Sequence, residues 1–128
     1  MNTNLNTNLN INDLYPSRYL KPTDIGANDL ILTIDKVVLE EIGWADRKET
    51  KPVVYFRELD KGLVLNRTNA GILANLYGDQ VSNWVGKQVT LYTTEVSFQG
   101  KVMPGIRIRS HIPPTDPEIA EKVPNPWR

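Results

Sequence analysis

The chain has no cysteine and a single histidine among its 128 residues. The absence of cysteine excludes disulfides, thiolate metal sites and a cysteine nucleophile, and it is typical of proteins in a reducing cytoplasm. One histidine excludes metal sites that need two imidazole ligands. The sequence also has no glycine-rich phosphate loop, and its serines lack the context of a nucleophile elbow. We therefore expect no cofactor, no metal and no enzymatic activity.

The chain also lacks an excess of charge of one sign and any long apolar run. Its 15 basic and 15 acidic residues cancel to a net charge of +0, so electrostatic binding requires a local patch. No run approaches the roughly 20 apolar residues that cross a bilayer, and the first residues lack the pattern of a secretory signal. The composition predicts a soluble cytoplasmic protein without a membrane partner.

Three regions differ in composition. Residues 1–12 carry asparagine at every second position, and such a polar repeat buries too little to offset its ordering entropy. We expect a disordered low-complexity arm there, although its apolar residues alternate as they would in a strand added to a partner. Residues 13–110 are the expected folded domain, and residues 111–128 are a Pro-rich tail.

Hydrophobic periodicity predicts five strands and one helix within the domain. A lead-in over residues 13–28 is expected to be irregular, anchored by Tyr15, Tyr19, Leu20 and Ile25. The first strand spans Asp29–Ile42, and a change of apolar phase near Asp35–Lys36 indicates a β-bulge. The remaining predicted elements are a strand over Val53–Leu59, a strand over Gly62–Asn66, a helix capped by Asn66 or Thr68 and ending at Tyr77, a helical turn that buries Trp84, a strand over Lys87–Phe98, and a strand over Val102–Arg109 with a bulge at Pro104–Gly105.

Three strands, a helix and two further strands are the element order of the five-stranded OB barrel. The predicted fold is therefore all-β, an OB-like barrel with one α-helix between strands three and four and flexible N- and C-terminal tails. A long, bent first strand can serve both sides of such a barrel. Many OB folds hold single-stranded nucleic acid, but element order by itself predicts a fold and not a function.

The functional signal is local basic charge interleaved with aromatic side chains. Between Trp84 and Ser110, four basic residues stand against one acidic residue, a local net charge of +3. Arg107 and Arg109 lie two apart on a strand and project to one face, where two guanidiniums can follow a phosphate backbone. Exposed aromatic rings add about 1–3 kcal/mol of stacking per base. The candidate nucleic-acid-binding residues are Trp44, Lys48, Lys51, Tyr55, Arg57, Lys87, Phe98, Lys101, Arg107 and Arg109.

Several of these candidates also have a structural explanation. Arg107 and Arg109 can form cross-strand ion pairs on a solvated face. Tyr55 and Phe98 can pack as readily as they can stack on a base. The loop before the second strand, which holds Lys48, alternates basic and acidic residues, so its signal is weaker than that of strand five.

Four segments carry a resemblance to known proteins. KPVVYF, KGLVLNRTNAGILANLYGD, WVGKQVTLYTTEVSFQGK and GIRIR resemble small proteins encoded by bacteriophages and prophages, over about Ser17–Arg109. Those proteins are similar to OB-fold single-stranded-DNA-binding proteins of phage replication and recombination modules. The resemblance implies action on DNA intermediates inside a bacterial host cell, with phage or host replication and recombination proteins as further partners. The ending EKVPNPWR departs from the acidic tail with which bacterial single-strand binders recruit other proteins.

These observations predict non-sequence-specific binding of single-stranded DNA in phage DNA replication or recombination. Lys87, Lys101, Arg107 and Arg109 would contact phosphates, whereas Trp44, Tyr55 and Phe98 would stack on bases. The alternative is an OB-like interaction module that binds a phage or host protein, which zero net charge and the Pro-rich tail favour. A small hydrolase or nuclease would require acidic side chains that converge in a cleft. The sequence does not distinguish DNA from RNA, or a monomer from a homo-oligomer.

Overall fold

The computed structural model describes residues 18–43 and 46–114. The N-terminal arm, Tyr15, Trp44 and the tail beyond residue 114 lie outside the described residues. The elements in chain order are helix α1 (Pro22–Ile25), strands β1 (Leu30–Ile42), β2 (Glu49–Phe56) and β3 (Leu63–Val64), helix α2 (Arg67–Tyr77), a 3-10 turn (Val81–Trp84), and strands β4 (Gln88–Phe98) and β5 (Lys101–Ile108).

The five strands form one antiparallel sheet in the order β3-β2-β1-β4-β5. The predicted mostly-β class, the five strands and the helix between strands three and four are confirmed. β3 and β5 are the two edges, and within the described residues no strand pairing joins them, so the sheet is open. Because every neighbouring pair is antiparallel, the two edge strands run in the same direction.

Strand β1 belongs to both halves of the sheet because it bends in the middle. Residues 30–33 pair with β4, whereas residues 34–42 pair with β2. The register with β2 shifts between Ile34 and Lys36. An extra residue at such a point bends the strand and increases its twist. The bulge predicted from the change of apolar phase is therefore confirmed.

The core lies between the sheet and helix α2. Leu32 and Ile34 of β1, Leu91 of β4 and Ile108 of β5 are fully buried together with Leu73 of the helix. Burying one such side chain stabilises the fold by about 1.5–3 kcal/mol. The predicted burial of Trp84 is confirmed as well, at 4% exposure, and its indole N–H donates to the Gly78 carbonyl at 2.8 Å.

Helix α2 begins and ends where the sequence predicts. The Asn66 side chain caps its start by accepting a hydrogen bond from the Asn69 backbone N–H at 2.8 Å. Gly78 ends it with a positive φ of 94°, a conformation that side chains with a Cβ rarely adopt. The first turn places Asn69, only 1% exposed, against the edge of β5. Its Nδ2 donates to the Ile106 carbonyl at 3.1 Å, and its Oδ1 accepts from the Ile108 N–H at 3.2 Å.

The lead-in is more regular than expected. Pro22 occupies the first turn of α1, and the Asp24 carboxylate accepts from the Lys21 backbone N–H at 2.7 Å. Before this helix, Tyr19 forms a parallel bridge to Gly62 at the outer edge of β3. Ile25 is buried in the core, so its predicted anchoring role is confirmed.

Three predicted strand details are wrong, the first being the start of β2, which lies at Glu49 and not at Val53. β2 ends at Phe56 and not at Leu59, because the Thr33 backbone N–H, which a longer β2 would pair, donates to the Glu58 carboxylate instead. The same carboxylate accepts from the Thr33 hydroxyl. No bulge occurs at Pro104–Gly105, since the pairing of β4 with β5 is regular throughout. Pro104 has no backbone N–H, and the strand tolerates this because position 104 does not bond to β4. Like Ile106 and Ile108, which contact Asn69, it directs its backbone groups to the free edge of β5.

Candidate nucleic-acid interface

The β4–β5 hairpin brings four of the ten candidate residues to one face. Tyr92 pairs with Arg107 and Phe98 pairs with Lys101, with no register shift between them. Side chains alternate across a strand, so these residues share a face with Arg109. We call this surface the hairpin face; it consists of Tyr92, Thr94, Val96, Phe98, Lys101, Met103, Gly105, Arg107 and Arg109.

Arg109 is held in place at the base of the hairpin face. Its guanidinium carbon lies 3.6 Å from the centroid of the Tyr92 ring. The same group donates to both carboxylate oxygens of Asp29, at 3.1 and 3.0 Å. The hydrogen bonds from Arg109 lower the pKa of Asp29 below its ordinary value, so the pair stays charged. The structural alternative predicted cross-strand ion pairs for Arg107 and Arg109; Arg109 forms an ion pair, but its partner Asp29 precedes β1 and is not on the paired strand β4. Arg109 therefore supplies an oriented but partly neutralised charge.

Arg107 and Lys101 keep their charges available. In the part of the chain that the structure describes, no acidic side chain forms a salt bridge with either residue. The hydrogen bond of Arg107 is a long contact of 3.4 Å to the Ile106 carbonyl. Glu95 is the acidic residue of the hairpin, and its register opposite Pro104 places it on the other face. The hairpin face therefore has a net positive charge.

Phe98 supplies an exposed ring at the end of this face. Its side chain is 59% exposed, which is unusual for a residue of its size. It lies immediately before a two-residue turn, Gln99 and Gly100, and its cross-strand partner is Lys101. An aromatic ring beside a cation, both in solvent, offers one base a stacking surface and its phosphate a counter-charge.

A second surface lies on the outer side of β1 and β2, around Glu40. The carboxylate of Glu40 accepts hydrogen bonds from the hydroxyls of Tyr19, at 2.6 Å, and Tyr55, at 2.5 Å. The ammonium of Lys36 lies 5.4 Å from the centroid of the Tyr55 ring. A cleft of about 510 Å³ is bordered by Lys36, Glu40 and Tyr55, and Arg18 and Lys61 also line it. The ring of candidate Tyr55 is thus already in contact with a cation.

The protonation of this cluster is fixed by its hydrogen bonds. The two tyrosine hydroxyls lower the pKa of Glu40, and the carboxylate in turn raises the pKa of Tyr19 and Tyr55 above 10.0. A raised phenol pKa is opposite to what a general base or nucleophile near neutral pH requires. At neutral pH the cleft therefore carries an ionised Glu40 and protonated tyrosine hydroxyls.

The remaining candidates lie apart from the hairpin face. Lys87 lies immediately before β4, five residues or about 16 Å along the chain from Tyr92. Its ammonium is 6.0 Å from the Tyr77 ring. Arg57 lies at the same end of the sheet, beside Gly86, where an added Cβ would be 3.8 Å from its Nη2. These two cations can extend a binding path but do not form one cluster with Phe98.

The hairpin formed by β1 and β2 contributes fewer free cations and exposed rings than expected. Lys51 lies opposite Glu40 on β2 and forms a 3.5 Å salt bridge with Glu49. Lys48 is exposed in the loop before β2. Trp44, the ring expected to be most exposed, lies outside the described residues. Of the three predicted stacking residues, only Phe98 presents an uncovered ring in the described part.

Sequence reasoning missed the residues whose role depends on strand register. Lys36 and Glu40 lie on the outer face of β1 because the bulge changes its parity, and Lys36 pairs directly with Tyr55. Val102 and Met103 are 68% and 43% exposed at the end of the hairpin, although their apolar character predicts burial. The position of Met103 could have been predicted from the sequence. A regular two-residue turn at Gln99–Gly100 determines the register of the hairpin, and this register pairs Val96 with Met103.

Comparisons with protein-family models, curated proteins and solved structures found no match. Across residues 18–43 and 46–114, no helix is long and apolar enough to cross a membrane. The same residues contain no group of three or more acidic, histidine or cysteine side chains that could bind a metal ion. The candidate interface therefore rests on the geometry of the hairpin face.

Proposed function

We propose that this protein is an OB-like single-stranded-DNA-binding protein that acts without sequence readout in phage DNA replication or recombination. The observation that carries the proposal is the hairpin face, where an exposed aromatic ring and three cations are aligned on one regular two-stranded ribbon. Such a surface stacks on any base and contacts any phosphate, which is binding without sequence readout.

The OB-like assignment is supported by the directions of the two edge strands and by the side chain that covers the edge of β5. β3 and β5 run in the same direction, and β3 ends after two residues. Beyond it, the Asn69 amide donates to residue 106 and accepts from residue 108. The backbone N–H and C=O of one residue in a parallel neighbouring strand would make the same pair of bonds. In our proposal a side chain thus completes a barrel that strand pairing leaves open.

The direct test is a titration of fluorescein-labelled oligo-dT of about 20 nucleotides, followed by anisotropy. We expect binding at low salt that weakens as salt is added, because phosphate contacts release counterions. Phe98→Ala should weaken binding by about 5- to 150-fold, equivalent to the loss of about 1–3 kcal/mol of stacking. The matched control is Leu39→Ala, which removes another exposed apolar side chain, 72% exposed, from β1.

No binding at low salt would contradict the proposal, as would an equal effect of the two variants. Poly-rU of the same length in parallel titrations would establish the preference between DNA and RNA. Sedimentation of the free protein and of the complex would establish whether the chain oligomerises.

A protein-binding function is the second candidate. The exposed apolar side chains of Leu39, Val102 and Met103 favour it, because apolar surface contributes to protein interfaces. A phage or host replication protein would be the partner. Absence of oligo-dT binding at low salt would favour this candidate over the first.

A further inference from the structure

The β4–β5 hairpin is a stiff projection. Gln99 and Gly100 both have positive φ, 51° and 78°, as in the two-residue turns whose twist matches that of a hairpin. Strand pairing is regular up to Phe98 and Lys101, so no residue next to the turn is frayed. Residues 94–105 include no buried residue. From Tyr92 to Phe98 the ribbon extends by about 20 Å.

The end of this projection is apolar on both faces. Phe98 and Met103 lie on the hairpin face, 59% and 43% exposed, whereas Val102 lies on the opposite face at 68% exposure. Apolar side chains that project in this way can separate stacked bases, as the apolar wedges of DNA-bending proteins do. Binding of a single strand along the hairpin face would require exposed apolar side chains on that face only.

The charges of the two faces differ. The hairpin face carries Lys101 beside Phe98 and Arg107 further down the ribbon. The opposite face carries Glu95, which lines a shallow groove with Val102 and Pro104. A DNA strand that follows the hairpin face therefore meets cations, while a strand on the opposite face meets a carboxylate.

We propose that the hairpin is a wedge that recognises the junction between single-stranded and double-stranded DNA. The exposed end base pair of the duplex rests on the tip, with Phe98 stacked on one base and Val102 against the other. The single strand then runs along the hairpin face toward Arg107. This inference rests on the proposed function and narrows its substrate class from single-stranded DNA to DNA with a duplex end.

The test compares three labelled DNAs of equal total length: a single strand, a blunt duplex, and a duplex with a single-stranded overhang. We expect the overhang DNA to bind about 5-fold more tightly than the single strand, because the second base of the terminal pair buries apolar surface of Val102 that a single strand leaves exposed. 2-Aminopurine in the terminal base pair should change fluorescence on binding. Val102→Ser should abolish the preference for the overhang and leave single-strand affinity unchanged, because Val102 faces away from the hairpin face.

Leu39→Ser is the control variant, since it removes an exposed apolar residue of β1 without touching the hairpin. Equal affinity for overhang and single strand would overturn the wedge and leave the proposed function intact. A preference that survives in Val102→Ser would also overturn it. Absence of binding to all three DNAs would overturn both proposals.

Discussion

Asn69 and Ile108 are joined by a hydrogen bond that links helix α2 to the edge of the sheet. The Ile108 N–H donates to the Asn69 Oδ1 at 3.2 Å, and both residues are almost fully buried. The same amide donates through Nδ2 to Ile106, so two backbone groups of β5 depend on one side chain. In the interior such groups are costly to leave without partners. The contact therefore stabilises the fold at the edge where strand pairing stops.

Replacement of Asn69 by alanine should lower the free energy of unfolding by about 2–6 kcal/mol. Both backbone groups lose their partner, and each buried unsatisfied group costs about 1–3 kcal/mol. Urea unfolding at equilibrium measures the change. Hydrogen exchange should also show faster exchange of the Ile108 amide, because its acceptor is gone.

Asn75→Ala is the matched control, since Asn75 is exposed on the same helix. We expect it to change stability by no more than about 0.5 kcal/mol, as for most surface substitutions. Equal stability of the two variants would show that the Asn69 amide does not support β5.

Gly62 should be intolerant of a side chain because the lead-in and β2 approach it closely. A Cβ at this position would lie 2.6 Å from a methyl group of Val53 and 2.9 Å from the Tyr55 ring. Overpacking of this kind costs about 1–3 kcal/mol, so Gly62→Ala should unfold at lower urea concentration. Gly71→Ala in helix α2 provides the contrast. Its Cβ would meet no atom within 4 Å, and removing a glycine from a helix should stabilise by about 1 kcal/mol. A shift of both variants in the same direction would contradict this account.

Glu40 should make stability depend on pH in the acid range. Its folded-state pKa lies below the ordinary 4.5 because two tyrosine hydroxyls donate to the carboxylate. A lowered pKa contributes stability that is fully present above 4.5 and is lost as pH falls through the folded-state value. Glu40→Gln should therefore lose less stability than the original protein on acidification from about pH 6 to about pH 3. Thermal unfolding at a series of pH values measures this difference, and parallel curves for the two proteins would contradict it.

Much of the fold could be predicted from local sequence patterns. Alternating apolar residues and the phase change near Asp35 predict β1 and its bulge, and Asn66 and Gly78 mark both ends of α2. The start of β2 at Glu49 could not be predicted, because the residues from Glu49 to Lys51 are polar and pair with β1 only as part of the hairpin. Likewise, the role of Asn69 depends on a residue 39 positions away in the chain.

The candidate site could be predicted only in part, for a related reason. The spacing of Arg107 and Arg109 predicts a shared face, and the structure has the two residues on that face. This spacing does not predict that Asp29, 80 positions away in the chain, accepts hydrogen bonds from Arg109. Nor does it predict that Tyr55 meets Glu40 and Lys36, since the bulge sets which β1 residues face outward. Charge and exposure are properties of the assembled sheet.

The most direct test of the central claim is the salt dependence of oligo-dT binding when charge is removed from the hairpin face. Each phosphate contact on a single strand contributes about −0.7 to the slope of log K against log salt concentration. The double variant Lys101→Ala/Arg107→Ala should therefore have a slope shallower by about 1.4. A control double variant, Arg18→Ala/Arg67→Ala, removes the same charge from exposed positions away from the hairpin and should keep the original slope. Equal slopes for the two double variants would contradict the assignment of the hairpin face as the DNA-binding surface.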